Sequence, residues 1–276
     1  MVLLKFLRMM NKRRCFSLLC LFALFGHSAV AQAFGWQAQV GPVDEPGYYR
    51  VLLPAQVTGR LQPAAADLRL YHSAGHEVPY LLRTERPAQF SRLPVQTFTH
   101  TDSAKKTLLR LTFGQPVHPA QVVFYISGPE LYRRTGKVVL GQKRVYERRR
   151  RKRRRRSRLQ ETSVPLLLQS NAPTNVELPR QKVEQLLIQL ENADNPPLTI
   201  DSVQVLEENR YLVANLEADQ LYFLQFGAEN ADGPAYDLAY FRDSVPQNRP
   251  VILVRNVQPR QAPEKKTSSK GSTALI

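Results

Sequence analysis

From Trp36 onward the chain alternates short apolar stretches with groups of Pro, Gly, Asn and Asp, the spacing of antiparallel β structure. Leu109, Leu111 and Phe113 alternate with Leu108, Arg110 and Thr112, and Tyr222, Leu224 and Phe226 repeat the pattern. Residues 67–71 and 77–82 flank the turn Ser73-Ala74-Gly75-His76, which predicts a hairpin whose second strand is irregular at Pro79. Val122-Val123-Phe124-Tyr125-Ile126 is apolar on both faces and reads as a central strand. Between Pro179 and Asn195-Pro196-Pro197 two periods compete. Val183, Leu186, Leu187 and Leu190 fall at helical spacing, whereas Leu186, Ile188 and Leu190 alternate as in a strand.

The first residues follow a different pattern. Lys12-Arg13-Arg14 precedes an apolar run from Cys15 to Gly26 and then His27-Ser28-Ala29-Val30-Ala31, the charged, apolar and small-residue order of a secretory signal peptide cleaved after Ala31. Twelve apolar residues are too few for a membrane helix, which needs about 20. Export to the periplasm or cell envelope is the expectation. Both cysteines, Cys15 and Cys20, lie within residues 1–31, so the exported chain holds no disulfide. Leu19 before Cys20 is not the small residue that lipidation at that cysteine requires.

The net charge of +16 is concentrated rather than general. Five of the 39 basic residues precede Ala31 and ten lie in Arg148, Arg149, Arg150, Arg151, Lys152, Arg153, Arg154, Arg155, Arg156 and Arg158, leaving 24 against 23 acidic residues. Like charges at this density repel, which predicts a solvated loop or linker over 142–163. In one reading it is a tolerated low-complexity insertion in a surface loop. In the other it contacts anionic lipid, acidic glycan or extracellular nucleic acid. The export signal argues against cytoplasmic nucleic acid.

A boundary at this block divides the chain into an N-terminal β-sandwich over 32–141 and a C-terminal one over 164–257, followed by a polar, disordered tail over 258–276. The fold class expected is all-β, an antiparallel, jelly-roll-like sandwich, in two domains. Tyr49-Arg50-Val51-Leu52-Leu53, residues 66–71 and Gly75-His76-Glu77-Val78-Pro79-Tyr80 resemble the opening of the exported bacterial proteins of the domain-of-unknown-function 3999 family. Residues 191–200 and Gly233-Pro234-Ala235-Tyr236-Asp237-Leu238 resemble that family's later motifs, in the same order. The resemblance implies a two-part β-sandwich envelope protein, usually anchored by a C-terminal helix, and a strand at Leu186–Leu190. It implies no activity. The tail ends Ala274-Leu275-Ile276 without the expected span, which leaves membrane attachment open.

Catalytic signals are sparse. Gly-x-Ser-x-Gly is absent, and Ser103-Ala104-Lys105-Lys106 has Ser-x-x-Lys spacing without its partner motifs, so it reads as a polar turn. His72, His76 and Glu77 cluster in sequence but read as surface residues flanking a turn rather than as metal ligands. No cofactor is implied. A non-enzymatic module binding a glycan, an anionic envelope polymer or a partner protein is therefore expected, with Trp36, Tyr71, Tyr80, Tyr236 and Asp237 as candidate ligand contacts. The alternative is an exported hydrolase acting on cell-wall or polysaccharide substrate, whose paired carboxylates no motif singles out.

Overall fold

The computed structural model describes residues 34–103, 105–148, 155–246 and 249–260, with the backbone alone over 142–160. The predicted signal peptide and the chain from 261 onward lie outside the described residues.

The strands in chain order are β1 (Trp36–Val40), β2 (Gly47–Leu53), β3 (Arg69–His72) and β4 (Tyr80–Arg83), with a single helical turn α1 (Ala55–Thr58) after β2. Next come β5 (Phe90–Arg92), β6 (Thr97–Asp102), β7 (Lys106–Val117), β8 (Gln121–Gly128), β9 (Arg133–Arg148) and β10 (Arg155–Gln169). They are followed by β11 (Asn175–Glu177), β12 (Val183–Glu191), β13 (Thr199–Glu208), β14 (Arg210–Leu216), β15 (Tyr222–Phe226) and β16 (Val251–Pro259). The chain is all-β, and its sheets pack on two apolar cores.

The first core is wrapped by a seven-stranded sheet of order β3-β15-β1-β16-β2-β14-β4. Its neighbours are antiparallel except β16 and β2. Alternate residues point inward, among them Val51 and Leu53 of β2, Leu212 and Ala214 of β14, and Leu224 and Phe226 of β15. Fully burying a side chain of this size contributes about 1.5–3 kcal/mol. β1 pairs with β16 so that Trp36 lies opposite Pro259.

The expected hairpin forms only at its turn. Tyr71 bridges Glu77 and Val78 N donates to Leu70 O at 2.8 Å, but the chain then leaves β3, and β4 pairs with β14 instead. The departure falls at Pro79, which has no N–H to continue the ladder. One segment thereby ties the sheet's two edges together.

Between β4 and β14 the chain builds a sandwich from a five-stranded sheet, β10-β9-β12-β7-β6, and a four-stranded sheet, β11-β8-β13-β5. Leu109 and Leu111 of β7, Ile188 of β12 and Leu168 of β10 meet Val122 and Phe124 of β8 and Val205 of β13 in the second core. β8 is the interior strand its apolar run predicts. β12 is a strand, and a register shift between Val183 and Gln185 explains its helical look. A bulge there moves the buried positions by one residue, so Val183 and Leu186 are both inward at a spacing of three.

Three expectations are corrected. The division at the Arg block gives way to a nested one, because the first core takes β1–β4 from one end of the chain and β14–β16 from the other. The strands of residues 34–83 are only half of a sheet and need those of 210–259 to complete it. Residues 142–148 and 155–163 of the expected linker are paired strand instead, since β9 and β10 pair out to Arg148 and Arg155, with one register shift between Thr162 and Ser163, while residues 149–154 lie outside the described residues. In the backbone register Arg156 lies opposite Glu147, Ser157 opposite Tyr146, Arg158 opposite Val145 and Arg155 opposite Arg148. The expected polar tail is also shortened, because Gln258 and Pro259 belong to β16.

Gly59 lies where α1 meets the end of β7, and a Cβ there would sit 1.8 Å from the Pro116 carbonyl oxygen, backbone against backbone. Gly59→Ala is expected to destabilise the fold by about 1–3 kcal/mol, measured by urea unfolding. Gly114→Ala meets only the Gln96 side chain, at 3.7 Å, and should change stability by less than about 0.5 kcal/mol.

Candidate functional site

Three of the five candidate ligand contacts come together at the segment that ties the first sheet's edges. Tyr236 Oη donates to Glu77 Oε1 at 2.5 Å, and Arg69 Nε lies 3.4 Å from the same oxygen. Tyr80 Oη donates to Leu68 O at 2.6 Å, and its ring meets that of Tyr236 edge to face at 5.1 Å. Tyr71 is the bridge partner of Glu77. Burial raises the pKa of all three phenols, and neighbouring Glu77 adds to the shift, so they remain hydrogen-bond donors. Arg69 also donates to Ala66 O, Leu68 O and Asp232 O. With the hydroxyls of Tyr80 and Tyr236 committed to protein acceptors and Tyr80 only 5% exposed, the cluster locks the 228–236 segment onto β3 and β4.

The other two candidates lie apart from it in their contacts. The Arg60 guanidinium covers the Trp36 ring 3.9 Å from its centroid. The backbone of Gly227, at φ +81, approaches the same ring so closely that a Cβ would lie 2.8 Å from it. Asp237 is exposed and opens a 3₁₀ turn, Asp237–Ala239.

A second polar group, unmarked in the sequence, joins the two cores. Thr58 at the end of α1 is 1% exposed and donates to Oε1 of Glu207, itself 6% exposed, at 2.7 Å. Lys182 Nζ donates to Leu61 O at 2.8 Å across the same junction. Burial raises the Glu207 pKa to about 6 against the opposing Thr58 hydrogen bond and the charge of Arg210. Burial, Arg210 and Lys182 together lower His118 to about 4. Sequence reasoning missed Glu207 because its partner lies 149 residues away, and a Glu-Glu pair at a strand end carries no local signal.

A cleft of about 370 Å³ opens where β4 passes to β5, lined by Glu85, Arg86, Phe90, Glu177, Arg180 and Glu208 among others. Two of its three carboxylates are already held by guanidinium groups, Glu85 by Arg50 and Glu208 by Arg180. Glu207 is not part of the lining.

The ribbon of β9 and β10 differs from these sites in its separation from the rest. β12 pairs with β9 only from Thr135 to Val139, and the β9–β10 register shifts between Thr162 and Ser163, where the ribbon leaves the sheet. Beyond that point Gln142–Arg148 and Glu161–Arg155 pair only with each other, over about 20 Å at about 3.3 Å per residue. Of the candidate anionic contacts, Arg148, Arg155, Arg156 and Arg158 are on this ribbon, while residues 149–154 lie outside the described residues.

The remaining candidate chemistry resolves into local structure. Ser103 Oγ donates to Lys106 O at 2.9 Å within the β6–β7 turn, and Lys106 pairs with Glu191 at 3.1 Å. His72 Nε2 meets Gln220 Oε1 at 2.9 Å, while Glu77 is held by Tyr236 and Arg69. No group of three or more His, Cys, Asp or Glu among the described residues is placed to hold a metal ion. No helix among them is long and apolar enough to cross a membrane.

The Glu207 carboxyl makes stability depend on pH. Its folded pKa lies above the ordinary value of 4.5, so its contribution is full below that value and is lost as pH rises through about 6. Glu207→Gln removes this slope. Urea unfolding from pH 4.5 to pH 7 should show the native chain losing about 2 kcal/mol relative to the variant. His118 contributes the opposite slope to both proteins and cancels from the difference.

No protein-family profile matches the chain, and neither a curated protein nor a solved structure resembles it.

Proposed function

We propose that this is an exported, non-catalytic binding protein that holds an anionic polymer of the cell envelope on its β9–β10 ribbon. The observation that carries the reading is the ribbon itself, a paired extension beyond its sheet whose strands include Arg148, Arg155, Arg156 and Arg158 and are joined in sequence by the six basic residues 149–154. Guanidinium groups bind phosphate, sulfate and carboxylate through forked hydrogen bonds. Because the rest of the exported chain is nearly neutral, this tract dominates any long-range attraction to a polyanion. The charged, apolar and small-residue order of residues 12–31 supports export, and the resemblance to the domain-of-unknown-function 3999 proteins fits an envelope location.

The other sites support this choice indirectly. The Tyr80 and Tyr236 hydroxyls and one face of Trp36 are occupied by protein partners, which favours the ribbon over an aromatic glycan platform. Two cleft carboxylates held by Arg50 and Arg180 favour binding over hydrolysis.

The test compares the native chain with a variant in which the ten basic residues from Arg148 to Arg158 are glutamine, on immobilised heparin and on duplex DNA. For six to ten phosphate contacts, affinity falls by about 10³–10⁵ between about 50 and 200 mM salt. The native chain is expected to show a steep salt dependence of this kind, and the variant to pass unretained. Equal retention of both proteins overturns the proposal.

A further inference from the structure

Among the described residues the sheet edges are protected in different ways, with one exception. The seven-stranded sheet has its edges tied together by the Tyr71–Glu77 bridge and the departure at Pro79. The four-stranded sheet ends in β11 and β5, three residues each. On the five-stranded sheet, β10 carries Pro165 and the basic residues Arg155, Arg156 and Arg158. These are the devices by which sheets avoid pairing with another chain: short edges, proline and positive charge. The other edge of that sheet, β6, has none of them. Its sequence is Thr97-Phe98-Thr99-His100-Thr101-Asp102, every residue is exposed, and its register with β7 is unbroken from Thr97 to Asp102.

From this edge we infer that β6 is the strand through which two copies of this chain pair, antiparallel about a two-fold axis at Thr99, to form one continuous ten-stranded sheet. The strand is its own complement in that register. Thr97, Thr99 and Thr101 share the face of their partners Thr112, Arg110 and Leu108, where Arg110 and Leu108 are exposed. Pairing sets Thr99 opposite the second copy's Thr99 and Thr97 opposite the second copy's Thr101, a threonine ladder on one face. On the other face, shared with buried Leu109 and Leu111, Phe98 lies opposite the second copy's His100, and this contact occurs twice. Threonine pairs and aromatic pairs are favourable cross-strand neighbours. Phe98 is 45% exposed at the rim of the second core, and the second copy's strand would cover it. A two-fold contact of this kind closes on itself and needs no further copy.

Cysteine cross-linking tests the register in the full chain with Cys15 and Cys20 changed to serine. Opposed residues of an antiparallel pair lie about 4.5–5.5 Å apart between Cα atoms, within disulfide range. Thr99→Cys is therefore expected to give a covalent dimer on mild oxidation. Thr97→Cys alone should not, because its two copies are offset by four residues, roughly 13 Å along the strand. The double variant Thr97→Cys, Thr101→Cys should cross-link again. Sedimentation equilibrium should show twice the chain mass for the native protein and the single chain mass for Thr99→Lys, which sets like charges against each other at the axis. Urea unfolding of Thr99→Lys establishes that it is folded. A native protein that stays monomeric overturns the inference, including the case in which the edge instead accepts a strand from another protein. So does a dimer indifferent to Thr99→Lys, or one that Thr97→Cys links as readily as Thr99→Cys.

Discussion

The pairing of β14 between β2 and β4 is the contact that closes this molecule. Leu212, Ala214 and Leu216 enter the first core from one face of β14, while Val213 on the other face packs with Leu81 and Val245. The strand is thus buried on both sides and hydrogen-bonded along both edges. Its partners in β2 lie more than 150 residues away in sequence, with Leu212 opposite Val51. Closing the first core therefore requires a contact of high sequence separation, whose loop-closure cost a folded intervening sandwich reduces by bringing the ends of the connection near each other.

The junction polar group takes its meaning from that arrangement. Thr58 and Glu207 sit on the two sides of the connection, one just after β2 and the other near the end of β13, and their hydrogen bond spans the point where one core gives way to the other. A buried carboxyl is an expensive choice for such a place, since an apolar pair of the same shape is often at least as stable. It does fix how the two sides meet, because a misplaced α1 would leave Glu207 buried without its donor.

Sequence patterning revealed the elements better than their arrangement. The alternation in Leu109, Leu111 and Phe113 and the apolar run of β8 translate directly into strands, because inward and outward residues of a sheet differ in polarity. The helical spacing around Val183 misleads because a bulge mimics it, and periodicity alone cannot distinguish the two. The nesting is invisible to any local rule, since nothing in β2 or β14 marks the other as its partner. Charge counting likewise predicts a loop over 142–163, whereas the strand pairing of 142–148 with 155–161 depends on a partner that no local charge pattern marks. Of the candidate contacts, Tyr71, Tyr80 and Tyr236 do converge, yet the acceptors that occupy two of their hydroxyls come from the backbone of Leu68 and from Glu77, which no motif joins to them.

The pairing of Trp36 with Pro259 has a mechanical consequence. The described chain enters and leaves the first sheet at neighbouring points, so a force drawing its two ends apart acts across the β1–β16 ladder rather than along it. Such a load falls on one hydrogen bond at a time and peels the strands apart from their free ends. A load applied along the strands would be shared by the whole ladder at once. The β1–β16 ladder therefore yields more readily to tension between Trp36 and Pro259 than to a load along its strands, and the sandwich that carries the ribbon lies outside that line of force.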